Sequence, residues 1–181
     1  MDIVTQGLAG AVLAQSVSRG QETRVAMVIG FLAGLLADID ALFTHSEVDP
    51  LLQLDFHRHF THSLFFIPFG GLIAALLLWP VMKRYLPFKR ILLFTTAGYA
   101  TSGIIDACSS YGTSLFCPRS DLRICWHLFS ILDPLFSISL IIAIIFAAVK
   151  KRPRYGTFGI CFGDSYLIRG STQHERAEAM G

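Results

Sequence analysis

The fifteen Lys and Arg residues of this 181-residue chain are strongly bunched. Arg19 and Arg24 stand near the start, and Arg58 is then the one basic residue before Lys83, Arg84, Lys89 and Arg90. A second gap leads to Arg119 and Arg123, and a third to Lys150, Lys151, Arg152 and Arg154. The gaps are apolar. A helix of about 20 largely apolar residues is what crosses a bilayer, and four segments come close: Val25 to Phe43, His62 to Met82, Ile91 to Cys108 and Ser130 to Val149. The last is the cleanest, because Ile138 to Val149 carries no charge. Hydrophobic residues at 53%, charged residues at 15% and a mean hydropathy of +0.56 exclude a disordered chain and argue against a water-soluble domain. A net charge of +2 gives no footing for nucleic acid.

The expected fold is all-α, a polytopic transmembrane helical bundle of about four spans plus a short N-terminal helix. That helix, Ile3 to Val17, is too short for a full span, contains Gln6 and Gln15, and has no basic start of a signal peptide. It reads as a half-span or as a helix packed inside the bundle. Residues 1–154 are expected to form the membrane-embedded domain. Residues 155–181 read as a tail whose patch from Phe158 to Ile168 is a weak candidate for a fifth membrane segment.

With alternating spans, ten of the basic residues fall on one side and Arg58, Arg119 and Arg123 on the other. The positive-inside rule makes the ten-residue side cytoplasmic.

Ionisable groups inside spans are costly and usually functional. Asp38 and Asp40 lie near the end of the first span, Asp106 near the end of the third and Asp133 at the start of the fourth. The run Asp55-Phe56-His57-Arg58-His59-Phe60-Thr61-His62-Ser63 lies between the first two spans. Topology sends all of these, with Gln6, to the outer face. Carboxylates with neutral imidazoles are the donors that zinc, manganese or iron sites use, and such sites activate water. His59 and His62, three apart, can share a helical face, and Thr61 or Ser63 can cap a helix there. Asp133 before Pro134 reads equally well as a helix cap. Arg58 is read as a partner for an anionic group, and His59 as a proton-transfer candidate. His45 and His127 are isolated and read as interfacial.

Gly30, Gly34, Gly70 and Gly71 read as close-packing points between helices. Cys108 reads as a small apolar residue within a span. Cys117 and Cys125 flank one loop, and the four cysteines lack zinc-thiolate spacing.

With these residues assembled, the chain resembles the membrane-bound metal-dependent hydrolases of the YdjM-like (LexA-binding, inner-membrane-associated) family. The matching pieces are Met1-Asp2-Ile3-Val4-Thr5-Gln6, Ala37-Asp38-Ile39-Asp40, His57-Arg58-His59-Phe60-Thr61-His62-Ser63, Ile105-Asp106-Ala107, Ser110-Tyr111-Gly112-Thr113 and Ile131-Leu132-Asp133-Pro134-Leu135-Phe136, with Gln173-His174-Glu175-Arg176-Ala177 near the end.

The resemblance implies a bacterial inner-membrane protein with its site at the periplasmic face. Asp38, Asp40, His57, His62 and Asp106 would hold a divalent metal, zinc first, with manganese and iron as alternatives. The implied substrate is a phosphoester or a small or lipid-like molecule. The family's distant likeness to zinc-dependent phospholipases C and single-strand nucleases is an analogy of fold.

Two departures stand out. The family pattern places a His four residues before the Asp106 equivalent, where this chain has Ser102. Similar proteins also continue beyond the point where this chain stops, so the tail is expected to be truncated relative to them. The rival reading is a non-catalytic membrane protein, either a regulator-binding partner or a small proton-coupled transporter.

Overall fold

The computed structural model describes residues 3–37, 62–108, 116 and 134–150. Among the described residues the protein is all-helical: α1 (Ile3–Ser16), a 3-10 turn (Gly20–Glu22), α2 (Thr23–Ala37), α3 (Ile67–Met82), α4 (Phe88–Cys108) and α5 (Pro134–Lys150). At 21 residues, α4 is the one described helix long and apolar enough to cross a membrane; α3 and the Ser137–Lys150 stretch of α5 are shorter apolar helices.

What packs inside is small and what faces out is large. On α3 the inner stripe is Gly70, Gly71, Ala74 and Ala75, while Phe69, Leu72, Ile73, Leu76 and Leu77 lie exposed at helical spacing. On α5 the exposed stripe is Ile138, Ile141, Ile142, Ile145, Phe146 and Val149. A water-soluble helix arranges these classes the other way round. Small residues at helix contacts with large apolar residues outside is the pattern expected where lipid replaces water.

The small residues let backbones touch. Gly10 of α1, Gly30 of α2 and Gly98 of α4 meet at one point. A Cβ on Gly10 would lie 2.5 Å from the Gly30 carbonyl oxygen and 3.2 Å from that of Gly98, and a Cβ on Gly98 would lie 2.6 Å from the Gly30 oxygen. A Cβ on Gly34 would come within 2.7 Å of the Gln6 carbonyl oxygen, and one on Gly70 would enter the Tyr99 ring. Gly30, Gly34, Gly70 and Gly71 are therefore the close-packing points that their spacing suggests. Gly10 and Gly98 join them.

The helix directions follow from the contacts. Glu22 pairs with Arg90, and Ala26 and Ile29 share a cluster with Ile91 and Phe94, so α2 and α4 run parallel. α1 runs antiparallel to α2, with Gly10 against Gly30 and Gln6 against Gly34. Thr5 bonds Ser137 at 2.7 Å and Gln15 Nε2 donates to the Ile144 carbonyl at 3.4 Å, so α5 runs parallel to α1. α3 returns antiparallel to α4. The N-terminal helix is packed inside the bundle, with nine of its residues buried, among them Thr5, Gln6 and Gln15.

The bundle thus has two unlike ends. Every Lys and Arg among the described residues (Arg19, Arg24, Lys83, Arg84, Lys89, Arg90 and Lys150) lies at one end. There Arg24 Nε donates to the Ala148 carbonyl at 3.2 Å, and the Arg90 guanidinium lies 4.9 Å from the Phe94 ring centroid.

Candidate functional site

The opposite end carries the buried polar groups. From the Glu22–Arg90 pair, α2 climbs fifteen residues to Ala37 and α4 sixteen to Asp106. At 1.5 Å per residue each climb is about 23 Å, so Ala37 and Asp106 reach the same level. Asp38 follows Ala37 directly in the chain. The expected convergence of Asp38 and Asp40 with Asp106 itself lies outside the described residues.

His62 reaches this level from the other side. Residues 62–66 form turns rather than the first turn of a helix, and α3 begins at Ile67. Ser63 shapes the entry. The Phe66 N–H lies 3.0 Å from the Ser63 carbonyl oxygen and 3.3 Å from its hydroxyl, so Ser63 closes the turn before the helix rather than capping it. The N-cap is Phe66, with no side-chain cap bond, not the expected Thr61 or Ser63. Pro68 in the first turn of α3 costs no hydrogen bond there. The Phe66 ring packs 6.1 Å from Tyr99, two turns before Asp106 on α4. Held this way, His62 Nε2 comes to 3.4 Å from Asp106 Oδ2, with no exposure of either side chain.

That distance is long for a hydrogen bond, whose usual range ends near 3.2 Å. It matches the edge of a coordination tetrahedron, since two donors each about 2.1 Å from one zinc ion stand about 3.4 Å apart. A carboxylate and an imidazole buried together are also the donor types that zinc, manganese and iron accept. The pair fits one side of a divalent-metal site. Among the described residues no group of three or more His, Cys, Asp or Glu side chains gathers for a metal. Asp38, Asp40, His57, Arg58 and His59 lie outside the described residues, as do Asp133, Cys117, Cys125 and residues 151–181.

Ser102 is buried one turn before Asp106, and its hydroxyl donates to the Tyr99 carbonyl at 2.7 Å. Its one proton is thus given to its own helix, as is that of Thr101, which donates to the Gly98 carbonyl at 2.7 Å. Cys108 is buried at the end of α4, the place expected of a small apolar residue within a span.

Thr5 and Ser137 carry no signal in the sequence, because a hydroxyl pair between two helices shows itself only once the helices are neighbours. Ser137 lies in the first turn of α5. The pair ties α5 to α1 close to the level of Gln6.

The family model described as YdjM inner membrane protein matches residues 1–176. No curated protein matches the chain. No solved structure matches it either.

Proposed function

Because the chain belongs to the YdjM inner membrane protein family, we propose that it is a multi-pass metal-dependent hydrolase of the bacterial inner membrane. Its substrate in this reading is a phosphoester or lipid-like molecule. The observation that carries the reading is the wholly buried His62–Asp106 contact at 3.4 Å, made by two elements far apart in the chain.

Four spans with α1 packed among them is the proposed topology. The exposed apolar stripes of α3 and α5 support it, because both helices then face lipid. The end carrying the basic residues is cytoplasmic in this scheme, and the His62–Asp106 end is periplasmic.

His62 and Asp106 would hold one side of a divalent ion, with Asp38, Asp40 and His57 supplying the remaining donors. Zinc is the first candidate, manganese and iron the alternatives. When bound, such an ion supplies Lewis acidity and an acidified water. Arg58 would neutralise an anionic group of the substrate, and His59 would carry a proton. Burial excludes bulk water from the pair and so strengthens the electrostatic hold on whatever charge develops there.

A second reading, a non-catalytic regulator-binding partner or small transporter, draws on Ser102. Its hydroxyl, already given to Tyr99, makes a poor substitute for the imidazole of the family pattern.

The test is metal analysis of the detergent-purified full chain beside His62→Ala and Asp106→Asn. The hydrolase reading expects close to one or two divalent ions per chain, falling at least tenfold in both variants. A folded parent with no bound metal would end it and leave the second reading.

A further inference from the structure

Gln6 is the most anomalous side chain in the bundle. It is wholly buried, and among the described residues neither its Nε2 nor its Oε1 has a hydrogen-bond partner. Buried polar atoms in native proteins are nearly always met by protein or by an ordered small molecule. An amide left with both ends unmet is costly, and more so where lipid surrounds the bundle.

Its place can be counted from the glycine crossing. Gly10 of α1 sits against Gly98 of α4. Gln6 is one turn from Gly10 and Ser102 one turn from Gly98. Because the helices are antiparallel, both steps lead toward the same end of the bundle. Residues four apart share a helix face, so Gln6 and Ser102 stand at one level on the facing surfaces of α1 and α4. Asp106, with His62, lies on the next turn of α4. Three levels are therefore stacked: the glycine crossing as a floor of backbone, then Gln6 with Ser102, then Asp106 with His62.

The chemistry of the two side chains selects the ligand. Gln6 offers a donor and an acceptor side by side. Ser102 has given its proton to Tyr99, so what it still offers is an acceptor. A metal ion would satisfy only the Gln6 oxygen and leave its NH2 group unmet. A phosphate oxygen would satisfy only the NH2 group. A hydroxyl accepts from the Gln6 NH2 group and donates to either oxygen.

We propose that Gln6 and Ser102 form a hydrogen-bonding subsite for a hydroxyl group, one turn deeper in the bundle than the His62–Asp106 pair. The hydroxyl belongs either to an enclosed water or to the alcohol of a lipid with a glycerol-type head. The subsite stands whether or not the pair above it holds a metal.

The experiment uses the full chain in detergent, labelled with 15N at glutamine. The Gln6 side-chain amide is assigned by its loss in Gln6→Met, or in Gln6→Asn if the Met variant does not fold. Magnetisation transfer to that amide is recorded before and after adding glycerol monooleate. A transfer from water that survives the lipid, with no change in melting temperature, assigns the subsite to water. Replacement of that signal by transfer from the glycerol protons assigns it to the lipid alcohol. A rise in melting temperature of about 2–4 °C in the parent but not in Gln6→Met would accompany it. Transfer from neither source overturns the proposal. So does a Gln6→Met protein that melts above its parent without lipid, since the thioether would then simply relieve an amide with nothing to bind.

Discussion

Arg90 and Glu22 keep 20% and 23% of their side chains exposed, whereas His62 and Asp106 meet with 0% of either exposed. Both pairs join an acid to a base far apart in the chain, and they differ in what surrounds them. At the basic end the charges can shed their cost into water or headgroups. At the other end α4 presents buried Gly, Ala, Ser and Thr, so no solvent softens the cost of a charge there. A polar pair that costs stability in its own location is a candidate for function, while one that sits at low cost is a candidate for anchoring and orientation.

The sharpest way to break this contrast is Asp106→Ala. It leaves His62 buried without that carboxylate, and loss of one member of a buried pair costs about 3–5 kcal/mol. Thermal unfolding in detergent should show a larger drop than either of the two substitutions that follow. A loss below about 1 kcal/mol, the range of an exposed pair, would put the two ends on the same footing.

Gly30→Val comes next. Its Cβ would overlap the Gly10 carbonyl and Ala14, and overpacking of this kind costs about 1–3 kcal/mol. The loss should appear at both ends together, because the crossing joins them. An unchanged unfolding midpoint would show that α1 and α2 do not touch there.

Glu22→Gln is the mildest change. A partly exposed pair contributes roughly 0.2–1 kcal/mol, less at high salt. The difference between Glu22→Gln and its parent should shrink as salt rises, while that of Asp106→Ala should not. Equal salt sensitivity of the two variants would erase the distinction between the ends.

Much of this arrangement can be read in the chain itself. Bare apolar stretches mark the helices within a few residues, because charge is confined to the ends. Asp106 is conspicuous because nothing apolar in its segment accounts for it, and His62 stands out by its polar neighbours. The start of α3 is harder to place. The apolar run suggests a helix from His62, yet Ser63 diverts the chain into turns and the helix waits until Ile67. Gly10 and Gly98 give no comparable signal, since a glycine acquires a packing role only when another backbone arrives. The same holds for Thr5 with Ser137. Spacing alone directs Ser102 toward a ligand shared with Asp106. Its hydroxyl proton goes instead to the Tyr99 carbonyl, a local competition that spacing does not reveal.

The glycine crossing also decides which parts of the molecule can yield. Where α1, α2 and α4 touch, backbone meets backbone, and there are no rotamers to rearrange. α3 meets α4 through mixed contacts, with Gly70 against the Tyr99 ring and Gly71 against both the side chain and the backbone of Thr96. The three crossed helices therefore act as a fixed frame that carries Gln6, Ser102 and Asp106. α3 packs against this frame, and His62 lies in the turns that precede it. With the spacing of the three crossed helices set by the glycines, the distance from Asp106 to His62 depends on how the turns before α3 are held.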